Sequence, residues 1–256
     1  YFLNGIELSD ECFLSNRNIM KDKDFFIEKC FKKLNKKKLF IINGDCHAQH
    51  FIPMIDNSSQ INNVLFLGDI SLSTLSENCL INNKCEKNEK IRKINHDLSI
   101  EKINNISKNY DETILINKIF LTEKNENMIL DNYKKVFEVF LNKINKEIKI
   151  IFIEPTPTFN FGPESCVLLG KNCEVSKKLG TKYQKKIENI YYELEENRNN
   201  IFVFNPNQFL CANDNCPIFE KNKNFLYYKD NDNLSIEASL YLSQYFDKWI
   251  LENFYE

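Results

Sequence analysis

Five short apolar runs constrain this chain more than any other feature: Leu39–Asn43, Val64–Leu67, Thr113–Ile116, Ile148–Ile153 and Ile201–Phe204. Each is about as long as a strand, and each is continuously apolar rather than alternating, the pattern of a strand covered on both faces. Between and after them lie segments with helical spacing, notably Phe25–Leu34, Met128–Ile144, Lys182–Leu194 and Ile236–Phe254. Strand and helix in alternation predict a parallel sheet with helices on both sides, an α/β fold in three layers. The polar stretch from Ser71 to Lys108 reads as loops, with one helix around Ile91–Ile100. No repeat or low-complexity linker divides the chain, so residues 1–256 are read as one domain.

Composition excludes some functions. Lys and Arg number 34 against 36 Asp and Glu, a net charge of −2, and the basic residues are scattered, so nucleic acid is not an implied partner. No stretch reaches the roughly 18 consecutive apolar residues of a membrane helix. The chain begins at Tyr1 rather than Met, which predicts a piece of something longer. Six of the nine cysteines fall into close pairs, Cys79/Cys85, Cys166/Cys173 and Cys211/Cys216. None has the tight Cys-x-x-Cys spacing of a zinc knuckle; these spacings suit small disulfide loops, and with them an oxidising compartment such as a secretory lumen, the cell surface or a periplasm. Cys12 and Cys30 are a fourth pair or two free thiols. Three Asn-x-Ser sequons, at Asn57, Asn105 and Asn233, are informative only in a eukaryote.

The first apolar run leads straight into Gly44-Asp45-Cys46-His47-Ala48. In an open α/β sheet, ligands bind at the carboxyl ends of strands, where this turn is expected. The block resembles the Gly-Asp-Ser-His-Ala block of SGNH hydrolases, in particular the SGNH domains C-terminal to membrane-bound acyltransferases. Near the other end, Cys211 to Cys216 followed by Tyr228-Lys229-Asp230-Asn231-Asp232-Asn233-Leu234-Ser235 is similar to that family's closing block, in which Asp-x-x-His precedes a last helix. The Pro155–Pro157 turn also fits. The resemblance spans nearly the whole chain and implies a flavodoxin-like SGNH fold with a parallel sheet of about five strands.

Two positions depart from the family pattern. Cys46 stands where the family has its nucleophilic serine, and Asn233 where it has the catalytic histidine, while the family's aspartate is present as Asp230. Asn takes no proton from a hydroxyl or thiol at neutral pH, so the usual base is missing. A thiol needs a base less than a hydroxyl does, because its pKa of about 8.5 already leaves some thiolate. Cys46 is predicted to open a helix, and His50 lies one turn on as a candidate ion-pair partner. The resemblance further implies Gly68 and Asn117 as oxyanion donors beside the Cys46 amide. Asp45 reads as an orienting or capping acceptor, and His47 as a side chain that holds the turn. A metal site from Cys46, His47, His50 and Asp230 would lack a second cluster to complete it, so no metal or other cofactor is implied.

The expectation is therefore an extracytoplasmic domain of an O-acyltransferase or acylesterase system. Its membrane acyltransferase part would lie in the same chain, and its acceptor would be a small-molecule or glycan hydroxyl. With the two exchanges the domain is expected to be weakly active or inactive and to bind a ligand. The alternative is an active enzyme in which Cys46 attacks the acyl carbonyl and the thioester is resolved by an alcohol or water.

Overall fold

A computed structural model describes residues 2–3, 6–7, 37–44, 46–68, 79, 84–118, 126–169, 173–180, 185–212, 214–220 and 225–255. The five apolar runs are strands: β1 (Lys38–Gly44), β2 (Val64–Gly68), β3 (Glu112–Lys118), β4 (Lys149–Ile153) and β5 (Ile201–Phe204). They form one sheet of order β2-β1-β3-β4-β5, every neighbouring pair parallel. Strand residues such as Leu39, Ile41, Ile114, Leu115 and Ile151 are fully buried, as unbroken apolar runs require when both faces are covered.

The principal helices are α1 (Cys46–Gln49), α2 (Ile52–Asp56), α3 (Lys87–Ser107), α4 (Glu126–Lys143), α5 (Lys185–Asn197) and α6 (Ile236–Phe254). Aromatic side chains fix two of the layers. Phe152 of β4 stacks on Tyr191 of α5 at 4.5 Å, with Phe137 of α4 edge-on to both. Phe204, the neighbour of Ile153 across the next strand, instead meets Phe246 and Trp249 of α6. Such ring pairs add about 0.5–1.5 kcal/mol each beyond their burial. Thus α4 and α5 cover one face, and α6 with α2 covers the other.

A polar seam locks α2 to α6. Ser239 accepts from the Met54 amide at 2.9 Å, and Ser243 accepts from Asn57 Nδ2 at 2.9 Å. One turn further, Asp247 takes the Ser58 hydroxyl, the Ser59 amide and the Ser59 hydroxyl. Ser239, Ser243 and Asp247 are four residues apart and so share one helix face. The seam holds the segment that follows Cys46 against the helix that follows Asn233.

The disulfides Cys79–Cys85, Cys166–Cys173 and Cys211–Cys216 close as the spacings predict, with Cα atoms 4.1–5.3 Å apart. The strip Glu174–Ser176 pairs antiparallel with Asn215–Pro217 and joins the last two disulfide loops. The helix expected around Ile91–Ile100 is present and longer than expected: α3 runs from Lys87 to Ser107, where loop was expected on either side. Its buried positions, among them His96, Ser99, Ile100, Ile103 and Ser107, are interrupted by asparagines and lysines, so the apolar period is weak although the face is real. The helix expected at Phe25–Leu34, together with Cys12 and Cys30, lies outside the described residues. Among the described residues, no helix is long and apolar enough to cross a membrane.

Candidate functional site

The carboxyl end of β1 turns sharply. Gly44 has φ +155°, and a Cβ there would sit 2.0 Å from the Lys118 carbonyl and 2.7 Å from the Ala48 Cβ. Only glycine lets β1 pass so close to the end of β3 and still turn into α1. Gly44 pairs in register with Gly68 on one side and Lys118 on the other, so the β2, β1 and β3 ends form one ledge. The main chain of Cys46 opens α1 on this ledge. Asp45 and the Cys46 side chain lie outside the described residues.

The two histidines that follow are packed together, with ring centroids 5.2 Å apart in an edge-on arrangement. His47 is 4% exposed. Burial, then the His50 ring and the Lys118 ammonium, push its pKa down to about 2. Burial and the Lys229 ammonium push His50 down to about 3. Asp230 favours the charged form of both rings but does not overcome these effects. Both are therefore neutral imidazoles across the physiological range, and forming an imidazolium at either is strongly disfavoured.

Asp230 itself is held by the loop that carries it. Asn233 donates from Nδ2 to Asp230 Oδ2 at 2.6 Å, and the Asn233 and Asp232 amides donate to Oδ1 at 2.7 and 3.1 Å. Burial raises the Asp230 pKa, but these donors outweigh it and hold the carboxyl below its ordinary value. Asp232, partly buried beside the Asp230 charge, is pushed up to about 6. The other end of the Asn233 amide is bare: Oδ1 is buried with no hydrogen-bond partner among the described residues. The loop is fixed at its edges, since the Phe159 amide donates to the Asn231 carbonyl at 2.7 Å and Ser235 caps α6 by accepting from the Ala238 amide at 3.0 Å.

Asn117 is wholly buried inside the sheet. Its Nδ2 donates to Asn43 Oδ1 at 3.1 Å, and Asn43 in turn donates to the Leu67 carbonyl at 3.4 Å, a bridge across β3, β1 and β2. Asn117 Oδ1 has no hydrogen-bond partner among the described residues. The structure thus brings His47, His50, Asp230 and Asn233 into one electrostatic neighbourhood and places Asn117 and Gly68 in the sheet beside it. Lys118, Lys229 and Glu154 were not singled out from the sequence. For Lys118 and Glu154 the available signal was a charged residue ending an otherwise apolar strand at the carboxyl edge.

A family model described as an SGNH domain fused to AT3 domains matches residues 11–248. Among solved structures, the periplasmic domain of a lipopolysaccharide acetyltransferase from Salmonella ser. Paratyphi A is similar with a TM-score of 0.58, at 16% identity, over 87% of this chain and 86% of that one. The C-terminal catalytic domain of peptidoglycan O-acetyltransferase A from Streptococcus pneumoniae aligns at 10% identity and a TM-score of 0.41, over 85% of this chain and 94% of that one. No curated protein matches the sequence.

Proposed function

This chain belongs to the SGNH domains that occur fused to AT3 domains, and from that premise we propose that it is an acceptor-binding domain of an O-acyltransferase system whose own turnover is weak or absent. The observation that carries this reading is the 2.6 Å bond from Asn233 Nδ2 to Asp230. An amide there reproduces the geometry of a histidine on its aspartate: one end donates to the carboxylate, and the other presents an acceptor. It does not reproduce the chemistry, because an amide oxygen takes no proton near neutral pH. His47 and His50 do not replace it, since burial and two lysines oppose the imidazolium that a base must become. The buried, unpartnered Asn233 Oδ1 instead suits a hydroxyl that is held and not deprotonated.

In this reading residues 1–256 form one domain, tethered on the extracytoplasmic side through a membrane acyltransferase part of the same protein. The acceptor is a hydroxyl on a small molecule or glycan. The disulfides and the periplasmic neighbour support that placement.

The test is intact mass after exposure to p-nitrophenyl acetate at neutral pH, with Cys46→Ala as control for stray lysine acylation. The expected result is no Cys46-dependent adduct that forms and decays. Restoring both positions, Cys46→Ser with Asn233→His, is expected to raise ester hydrolysis at least ~100-fold, the lower range of what a positioned acid–base group contributes. A hydroxylamine-labile acetyl group on Cys46 of the unaltered protein that turns over would overturn the reading and establish the thioester route.

A further inference from the structure

Glu154 follows β4 directly, and its side chain is 1% exposed. A carboxylate offers about four acceptor sites, yet this one receives few donors. Tyr192 of α5 gives its hydroxyl to Oε1, while Oε2 is buried with no hydrogen-bond partner among the described residues. The ammonium of Lys118, itself 2% exposed, bonds the main-chain carbonyls of Ile153, at 3.4 Å, and of Glu154 itself. The charged groups facing Glu154 are Lys118 from β3, Glu188 from α5 and Lys177 from the segment before it. Burial dominates, the Glu188 charge adds to it, and the two lysines and the Tyr192 bond oppose it, leaving the carboxyl at about 7. A neutral acid with its proton on Oε2 fits this surrounding.

Lys118 also reaches the other site. Its charge is felt at His47 and His50, its ammonium lies 5.4 Å from the Phe51 ring centre, and its carbonyl is the atom against which Gly44 packs. We propose that Glu154 is a proton-linked positioning residue for the Cys46 end of the sheet, acting through Lys118. With the acid neutral, the ammonium stays on the two carbonyls. When the proton leaves to solvent, the carboxylate competes for that ammonium and draws it towards itself, and the positive charge facing His47 and His50 moves. The device does not depend on whether the site turns over.

The test is long-range ¹H–¹⁵N NMR of the protein labelled at histidine, followed from pH 6 to pH 8. The His47 and His50 ring signals are expected to shift with a midpoint near pH 7, while their nitrogens keep the neutral pattern. His96 on α3, which faces Asp97, Lys143 and Lys93, is expected to show no such step and reports that the fold is intact. Glu154→Gln removes the step with His96 unmoved, and Glu154→Asp keeps a step at a displaced midpoint. Invariant His47 and His50 signals in the unaltered protein, or a step that survives Glu154→Gln, would overturn the proposal.

Discussion

Acid should unfold this protein through its histidines. The chain has three, His47 and His96 buried and His50 half-buried, and all are held neutral: His47 at about 2, His50 at about 3 and His96 at about 4, each lowered first by burial. Folding that lowers a histidine's affinity for protons gives stability that is complete above the unfolded value of 6.5 and is lost as pH falls below it. At pH 5 each ring is protonated in the unfolded chain and bare in the folded one, a penalty of about 1.4 kcal/mol per pH unit over roughly 1.5 units. Three rings together cost about 6 kcal/mol on that scale. Glu154 works the other way. Its carboxyl is raised from 4.5 to about 7, so its contribution is complete below 4.5 and lost as pH rises through 7; from pH 7 to pH 5 it returns about 2 kcal/mol. Over these four groups the net loss is about 4 kcal/mol, a large share of the roughly 5–15 kcal/mol of an ordinary domain, and Asp232, raised to about 6, acts in the same direction as Glu154 and trims it. Urea unfolding at pH 7 and pH 5, with disulfides intact, measures it through Trp249, the single tryptophan, which packs on Phe204. Glu154→Gln should deepen the acid loss towards about 6 kcal/mol, and His50→Gln should lessen it by about 2 kcal/mol. A pH 5 midpoint equal to or above the pH 7 midpoint would refute the reasoning.

Two further substitutions probe the ledge and the loop. Gly44→Ala places a methyl against the Lys118 carbonyl in a backbone conformation that alanine avoids, and should cost about 2–4 kcal/mol by thermal or urea unfolding. Asn233→Asp replaces the donor on Asp230 with a second carboxylate, so the loop should be destabilised at pH 7 and recover near pH 5, where the pair shares a proton; hydrogen exchange at the backbone amides of positions 232 and 233 follows both states.

The five strands were legible because strands buried on both faces carry unbroken apolar runs, and β1 to β5 agree with those runs to within a few residues. α6 was legible from Ile236 to Phe254 by its apolar spacing, but its cap was not: Asp232 or Asn233 is the cap expected from sequence, and Ser235 is the residue that accepts from the Ala238 amide. α3 was legible only in its middle, around Ile91–Ile100, because asparagine and lysine dilute its period towards both ends; its packing there is tertiary, with His96 6.1 Å from Phe140 and Asn104 bonding the Lys143 carbonyl and the Asn145 amide. In the candidate site, the comparison of Cys46 and Asn233 with the SGNH pattern rests on sequence alone, and the bond from Asn233 to Asp230 spans three residues that a local turn can close.

The sequence by itself determined the layered α/β architecture and the three close cysteine pairs, because each depends on periodicity or on residues close together in the chain. The tertiary structure alone decided what surrounds those positions. Strand order sets β3 between β1 and β4, and only then does the Lys118 main chain press on Gly44 while its ammonium reaches the Glu154 carbonyl, 36 residues away in sequence. Burial and charge act through space, so the neutrality of His47 and His50 belongs to the packed molecule and to no segment of it.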